Sequence, residues 1–176
     1  MNLKQSLLSA ALIAGLGVAA LMPQTASAVD GTINISGKVI AQTCTVNTNN
    51  GATVVLPPVN KSVFTAAGST AGDTNFTIAL SNCDSLLTNA QMSFSGANID
   101  TSNGKLKNTS SGGSNIEIEL VNGATPINLS NNTNAPSVPL NSGSGSTTLK
   151  ARYYASTTPV TAGAVSTSVD FTLTYQ

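Results

Sequence analysis

The stretch that organises this chain reads Val29-Asp-Gly-Thr-Ile-Asn-Ile-Ser-Gly-Lys-Val39. Its odd positions are all apolar or glycine, and its even positions are all polar. Because successive side chains of a β-strand point to opposite faces, this period of two predicts a strand with one apolar face. Such a strand can pair inside its own domain, or it can add to the sheet edge of another chain. The rest of the sequence has to distinguish these two possibilities.

Residues 1–28, which precede this stretch, have the pattern of a secretory signal peptide. Lys4 provides the positive charge, residues 7–22 form an apolar core, and Ala26-Ser-Ala28 is a small-residue cleavage site. A transmembrane anchor is the alternative, but the apolar run is short for one and ends in a cleavage pattern. We therefore predict cleavage after Ala28, which leaves 148 of the 176 residues and suits one domain.

The composition of the remaining chain excludes some partners and favours strands. Seven acidic and six basic residues give a net charge of −1 after the leader is removed, so no electrostatic footprint for nucleic acid is present. Serine, threonine and asparagine are abundant, and they favour strands and turns over helices. No apolar segment after residue 28 has a helical period. The sequence therefore predicts an all-β fold.

The two cysteines, Cys44 and Cys83, form one possible intrachain pair in an exported protein. A bridge that closes a loop of about 40 residues stabilises the fold by roughly 4 kcal/mol on the chain-entropy model. Two reduced, buried cysteines are the alternative.

Alternating patterns predict strands at residues 74–81, 90–97, 115–121 and 147–155. A short strand is predicted at residues 53–56, where two prolines end it, and Asn122-Gly123 is a tight-turn signal. Residues 131–146 are predicted to be a long surface loop. Short strands at this spacing favour a sandwich.

The last predicted strand, residues 164–176, has an apolar stripe that runs to the end of the chain. The stripe consists of Val165, Val169, Phe171, Leu173 and Tyr175. We expect no later strand to cover its free edge, and a long apolar edge is an aggregation hazard that Asp170 alone hardly reduces. A spare strand at residues 29–39 and an open edge at the other end are complementary. The closing strand can therefore come from another copy of the chain.

On these features the sequence resembles the major subunits of chaperone–usher pili, close to the type 1 fimbrial pilins. The resemblance covers the whole chain, from the cleavage site and the cysteine spacing to Lys150-Ala-Arg-Tyr-Tyr-Ala155. It also includes Gly163 at the fourteenth position from the end, the stripe that follows it, and the penultimate Tyr175.

This resemblance implies an incomplete immunoglobulin-like β-sandwich, the pilin fold, which a donor strand completes. The implied domains are a signal peptide (1–28), a donor-strand extension (29–37) and a pilin domain (38–176). The implied donor residues are Val29, Gly31, Ile33 and Ile35, with Gly31 where only a bare backbone fits. The implied groove strand for a chaperone or a neighbouring subunit carries Gly163, Val165, Val169, Phe171, Leu173 and Tyr175.

The resemblance also implies a place and partners for the protein. They are export through the periplasm, a periplasmic chaperone, an outer-membrane usher, copies of the chain in an adhesive surface fimbria, and a tip adhesin. A lone subunit could also fold its own extension into its own groove.

Chemistry at a catalytic or metal site is not expected. The chain has no histidine, which excludes histidine-based triads and histidine metal sites, and we expect no cofactor. Glu117 and Glu119 are the one pair of carboxylates at short spacing, and we interpret them as a solvated strand face. Lys105 and Lys107 are interpreted in the same way. An enzyme is the least favoured class, because no nucleophile–base pair is visible.

Two other functions remain open on the sequence. One is a minor or adaptor pilin of the same system, which would not form long homopolymers. The other is a free-standing secreted β-sandwich that binds carbohydrate, which would be stable without its first ten mature residues.

Overall fold

A computed structural model describes Ser36, residues 44–48 and residues 53–176. The chain divides into two compact units, Met1–Lys38 and Val39–Gln176, and all described residues except Ser36 belong to the second. The leader and the proposed donor residues lie outside the described residues. The description below therefore concerns the second unit.

The described residues of this unit form eight strands. They are β1 (Thr45–Thr48), β2 (Thr70–Ser81), β3 (Asn89–Ser95), β4 (Glu117–Asn122), β5 (Thr125–Pro126), β6 (Ser137–Pro139), β7 (Gly145–Tyr154) and β8 (Asp170–Tyr175), with a 3₁₀ turn at Lys61–Val63. One sheet has the order β1-β2-β7-β4-β5 and the other β6-β3-β8. The described residues include no α-helix and no helix that could cross a membrane. The all-β prediction is confirmed.

The core lies between the inner faces of the two sheets, and alternation along the strands explains which residues reach it. Ile78 and Leu80 of β2 are buried, as are Ala90, Met92 and Phe94 of β3. Side chains two positions apart share a face, so each strand contributes every second residue to the core. Leu149 and Ala151 of β7 complete the same cluster from the centre of the larger sheet.

The predicted disulfide is present between Cys44 and Cys83. It joins the residue before β1 to a residue just after β2, and the two strands pair in register with Thr45 opposite Ser81. The bridge therefore links the start of β1 to the C-terminal end of β2.

The predicted hairpin at Asn122-Gly123 is also present. Gly123 has φ +61°, which glycine adopts without steric cost, and the chain returns as β5 with Thr125 opposite Asn122.

Two predictions about secondary structure are wrong, and a third, the strand over residues 164–176, holds only for Asp170–Tyr175. Residues 131–146 contain β6, and Val138 (0% exposed) and Leu140 (6%) belong to the core. The sequence did not predict this strand because prolines occupy positions 136 and 139. The strand can contain Pro139 because it lies at the edge of its sheet. Residues 53–56 form no strand, since no strand of the described part pairs with them.

Candidate subunit-binding groove

Strand β8 forms one edge of the smaller sheet. It pairs with β3 along its length, from Ala90 opposite Tyr175 to Ser95 opposite Asp170. Within the described part of the chain, β8 has no second strand partner. The open-edge prediction therefore agrees with the position of this strand.

The backbone hydrogen bonds show which residues of β8 face the open edge. Asn89 and Gln176 exchange two backbone hydrogen bonds, with N···O distances of 3.1 and 2.9 Å. Since bonded and non-bonded pairs alternate in an antiparallel ladder, the even residues of β8 bond to β3. The backbone N–H and C=O groups of its odd residues, such as Phe171 and Leu173, therefore point to the open side.

The same alternation continues before β8, although residues 164–169 form no regular strand. The Ser166 carbonyl accepts a hydrogen bond from the Thr109 N–H at 2.8 Å, and the Ser166 N–H donates to Asn108 Oδ1 at 2.9 Å. Asn98 Nδ2 donates to the Ser168 carbonyl at 3.0 Å. Backbone and side-chain groups of residues 98–109 thus replace a partner strand here. By the same alternation, the backbone groups of Thr167, between the two serines, point to the open side.

The side chains of the odd residues form the predicted apolar stripe. The odd residues from 165 to 175 are half-buried, and the even residues between them are exposed. The apolar residues among the odd ones pack against the main core, and they are Val165, Val169, Phe171, Leu173 and Tyr175. All five sequence-predicted stripe residues therefore lie on one face, with their apolar surface partly open.

An apolar groove of about 610 Å³ runs beside this stripe. Its floor contains core residues from both sheets, among them Ile78 and Phe94. Residues 53–56 line the groove as well, together with Val165 and Val169. No described strand pairs with residues 53–56.

Gly163 lies at the start of the segment, where the chain passes close to a loop. A Cβ at this position would lie 2.6 Å from the Ser114 nitrogen and 2.7 Å from the Gly113 carbonyl carbon. Both are backbone atoms that cannot move aside easily, so this close approach requires glycine. A second cavity of about 340 Å³ adjoins Gly163 and is lined in part by Phe64 and Val160. No pattern in the sequence predicted this cavity.

Thr167 is a polar residue inside the apolar stripe. It lines the groove between Val165 and Val169, and its Oγ1 is buried with no hydrogen-bond partner among the described residues.

The outer face of the larger sheet carries a buried ionic cluster, so the prediction of a solvated face is wrong for three residues. Glu119 is 2% exposed, Glu117 7% and Lys105 8%. The cause is cross-strand placement. A bridge between Leu106 and Ile118 puts Lys105 opposite Glu119, and the long neighbouring side chains cover the carboxylate.

Glu119 has two cationic partners in this cluster. Lys105 Nζ lies 2.6 Å from its Oε1, and Arg152 Nε donates to its Oε2 at 2.6 Å. Lys105 Nζ also lies 5.1 Å from the centre of the Tyr154 ring, while Tyr153 packs on the opposite face against the core. The two tyrosines therefore point to opposite faces, as their adjacent positions predict. Lys107 is exposed, as expected.

Glu117 occupies the next position of this face. Burial raises the pKa of its carboxyl, although Asn103 Nδ2 donates a hydrogen bond to Oε2 at 2.7 Å. Asp100 nearby has a lowered pKa, chiefly because the Ser102 hydroxyl and backbone N–H donate to its Oδ1. The pKa of Glu117 therefore lies above its ordinary value, and the pKa of Asp100 lies below its own.

A two-sheet sandwich with one disulfide, whose last strand leaves an edge open beside an apolar groove, is the fold of pilus subunits. The solved structures agree. The P pilus rod subunit PapA superposes with a TM-score of 0.60 at 22% identity, over 76% of this chain and 99% of that chain. The Burkholderia pseudomallei antigen and type I fimbria protein BPSL1626 gives a TM-score of 0.58 at 27% identity, over 76% and 100%.

The chain belongs to the family described as Fimbrial protein, which it matches over residues 33–176. It is 38% identical to the F17 fimbrial protein of Escherichia coli over 92% of this chain and 96% of that protein. It is 36% identical to the major fimbrial subunit SMF-1 of Stenotrophomonas maltophilia over 89% and 98%. The protein is therefore a structural subunit of a bacterial cell-surface fimbria, and not an enzyme.

Proposed function

We propose that this subunit polymerises by donor-strand exchange, with the extension of one copy filling the groove of the next. The donor residues are Val29, Gly31, Ile33 and Ile35, on the apolar face of the extension. The observation that carries the proposal is the edge of β8 that no described strand covers, where the stripe and the outward-facing backbone groups border one groove.

The energetics favour such an insertion. Burying Val29, Ile33 and Ile35 contributes about 1.5–3 kcal/mol each, and the added strand supplies partners for the odd-numbered backbone groups of β8. Since each subunit gives one strand and receives one, the contact is heterologous and does not close. Repetition of this contact produces a filament.

The open edge also requires protection before assembly. An unpaired apolar edge invites uncontrolled pairing, so a periplasmic chaperone lends a strand to the groove, and an outer-membrane usher exchanges it for the next subunit's extension. The leader directs export and is then removed by cleavage after Ala28, and a tip adhesin ends the fibre. These partners follow from the resemblance to chaperone–usher pilins.

The test uses the oxidised domain, residues 38–176, with a synthetic peptide of residues 29–40. Donor-strand insertion predicts a large rise in the midpoint of thermal unfolding when the peptide is added. An Ile33→Asp peptide should lose this effect, because a charge would enter the groove. An Asn34→Asp peptide is the matched control, since position 34 faces outward and the same charge should be tolerated.

An unchanged midpoint with the parent peptide would contradict the proposal. So would equal effects of the two substituted peptides, because binding would then not depend on the apolar face.

A further inference from the structure

The first half of the groove edge, residues 163–169, has no described strand beside it. The ladder between β3 and β8 ends where Ser95 lies opposite Asp170, and residues 163–169 form no regular strand. Holding a residue in one backbone conformation costs conformational entropy, so an extended segment needs hydrogen bonds or packing that keep it extended. Groups outside β3 therefore have to order this half of the edge.

The side-chain amide of Asn108 supplies four of the hydrogen bonds at this segment. Its Oδ1 accepts the N–H of Ser166 at 2.9 Å and that of Ser110 at 3.0 Å. Its Nδ2 donates to the carbonyl of Ala164 at 2.8 Å and to that of Ser114 at 2.7 Å. An asparagine amide has two donors and two acceptor sites. Every hydrogen-bonding position of this side chain is therefore used, and it ties the groove segment to a loop.

Hydrogen bonds from two further residues extend this attachment along the segment. The N–H and the hydroxyl of Thr109 both donate to the Ser166 carbonyl, each at 2.8 Å. Asn98 Nδ2 donates to the Ser168 carbonyl at 3.0 Å. All the segment groups that are held in this way belong to even residues. Because the direction of backbone groups alternates along an extended chain, those of the odd residues are left for the open side.

We propose that Asn108 is a positioning residue, which holds residues 164–166 extended so that this half of the groove edge is in place before a donor strand arrives. This inference rests on the proposed function and deepens it. A binding edge that is already ordered loses little conformational freedom when its partner binds. With the even residues tied inward, the backbone groups of Val165 and Thr167 point to the side where an added strand can bond to them.

The test compares filaments of the full exported chain with filaments of an Asn108→Ala variant by residue-resolved hydrogen exchange. In parent filaments the amides of Val165, Thr167, Phe171 and Leu173 should all be protected, because the donor strand bonds to them. In the variant, Val165 and Thr167 should exchange about tenfold faster or more, since tenfold corresponds to about 1.4 kcal/mol, close to the cost of ordering the backbone of one residue. Phe171 and Leu173 should keep their protection, because β3 still orders β8.

Asn132→Gly is the matched control, because the Asn132 amide also takes the place of a partner strand. Its Oδ1 accepts the Phe94 N–H at 2.6 Å, and its Nδ2 donates to the Phe94 carbonyl at 3.1 Å. These bonds lie on the side of β3 that faces away from β8. Glycine removes the amide and suits the φ of +58° at this position. In this variant Val165 and Thr167 should exchange as they do in the parent filaments.

Asn98→Ala is a second variant with a smaller change, because the Asn98 side chain donates only to Ser168 among the bonds described above. It should speed the exchange of Thr167 and Val169 and leave Leu173 unchanged. If Asn108→Ala forms no filaments, this variant decides the question. Unchanged exchange at Thr167 and Val169 would then overturn the inference.

The remaining outcomes separate the inference from the proposed function. Unchanged exchange at Val165 and Thr167 in Asn108→Ala filaments would overturn the positioning role. So would an equal acceleration at Phe171 and Leu173, which would indicate a general loss of stability, or a lack of protection at Val165 and Thr167 in parent filaments. Absence of filaments from the unsubstituted chain, or unprotected amides at Phe171 and Leu173 within them, would overturn donor-strand polymerisation itself.

Discussion

Removing the charge of Glu119 is expected to destabilise the subunit strongly. A Glu119→Gln substitution keeps the shape of the side chain but leaves Lys105 and Arg152 without their carboxylate. Breaking a buried ion pair costs about 3–5 kcal/mol. The side chains of Lys105 and Glu119 are 10% and 3% exposed, but that of Arg152 is 21% exposed. Because water compensates Arg152 in part, the lower end, about 3 kcal/mol, is expected.

Urea unfolding of the mature, oxidised chain, followed by circular dichroism, measures this free energy of unfolding. At about 2–4 °C per kcal/mol for a chain of this size, the melting temperature should fall by roughly 6–12 °C. Asp73→Asn is the matched control, since it also removes one negative charge. Its ion pair with Lys150 has side chains 45% and 29% exposed, and such a pair contributes about 1 kcal/mol or less. Equal losses in the two variants would refute the reasoning.

Three further predictions concern single features of the domain. Gly163→Ala should lower the free energy of unfolding by about 1–3 kcal/mol, because its Cβ would meet backbone atoms, and urea unfolding measures the loss. The raised pKa of Glu117 predicts that stability increases as the pH falls from neutral toward 4.5, and the lowered pKa of Asp100 predicts a loss below 3.8. A pH series of melting temperatures checks this, and Glu117→Gln should remove the rise. Reduction of the Cys44–Cys83 bridge should cost roughly 4 kcal/mol of stability, and an equal melting temperature with and without reductant would contradict this.

The sequence was sufficient for the elements whose alternation is regular and whose one face is buried. Strands β2 and β7 and the stripe of β8 follow from residues such as Ile78, Leu149 and Phe171, because a period of two translates directly into a buried face. The disulfide followed from the predicted export of the chain and from its two cysteines. These features are local, or are fixed by a single long-range pairing.

The features that the sequence did not reveal depend on neighbours that alternation does not identify. Glu119 is on the polar side of its strand, but Lys105 and Arg152 come from other segments and cover it. Val138 is a core residue between prolines, in a stretch whose composition is that of a loop. The role of Gly163 depends on the backbone of a distant loop.

The most direct measurement for the open groove is residue-resolved hydrogen exchange of the backbone amides along β8. In domain 38–176 alone, the amides of Thr172 and Thr174 should be protected by β3, while those of Phe171 and Leu173 should exchange quickly. Addition of the 29–40 peptide should protect Phe171 and Leu173 and leave the even residues unchanged. Protection of the odd amides without peptide, or no gain when it binds, would contradict the insertion of a strand at this edge.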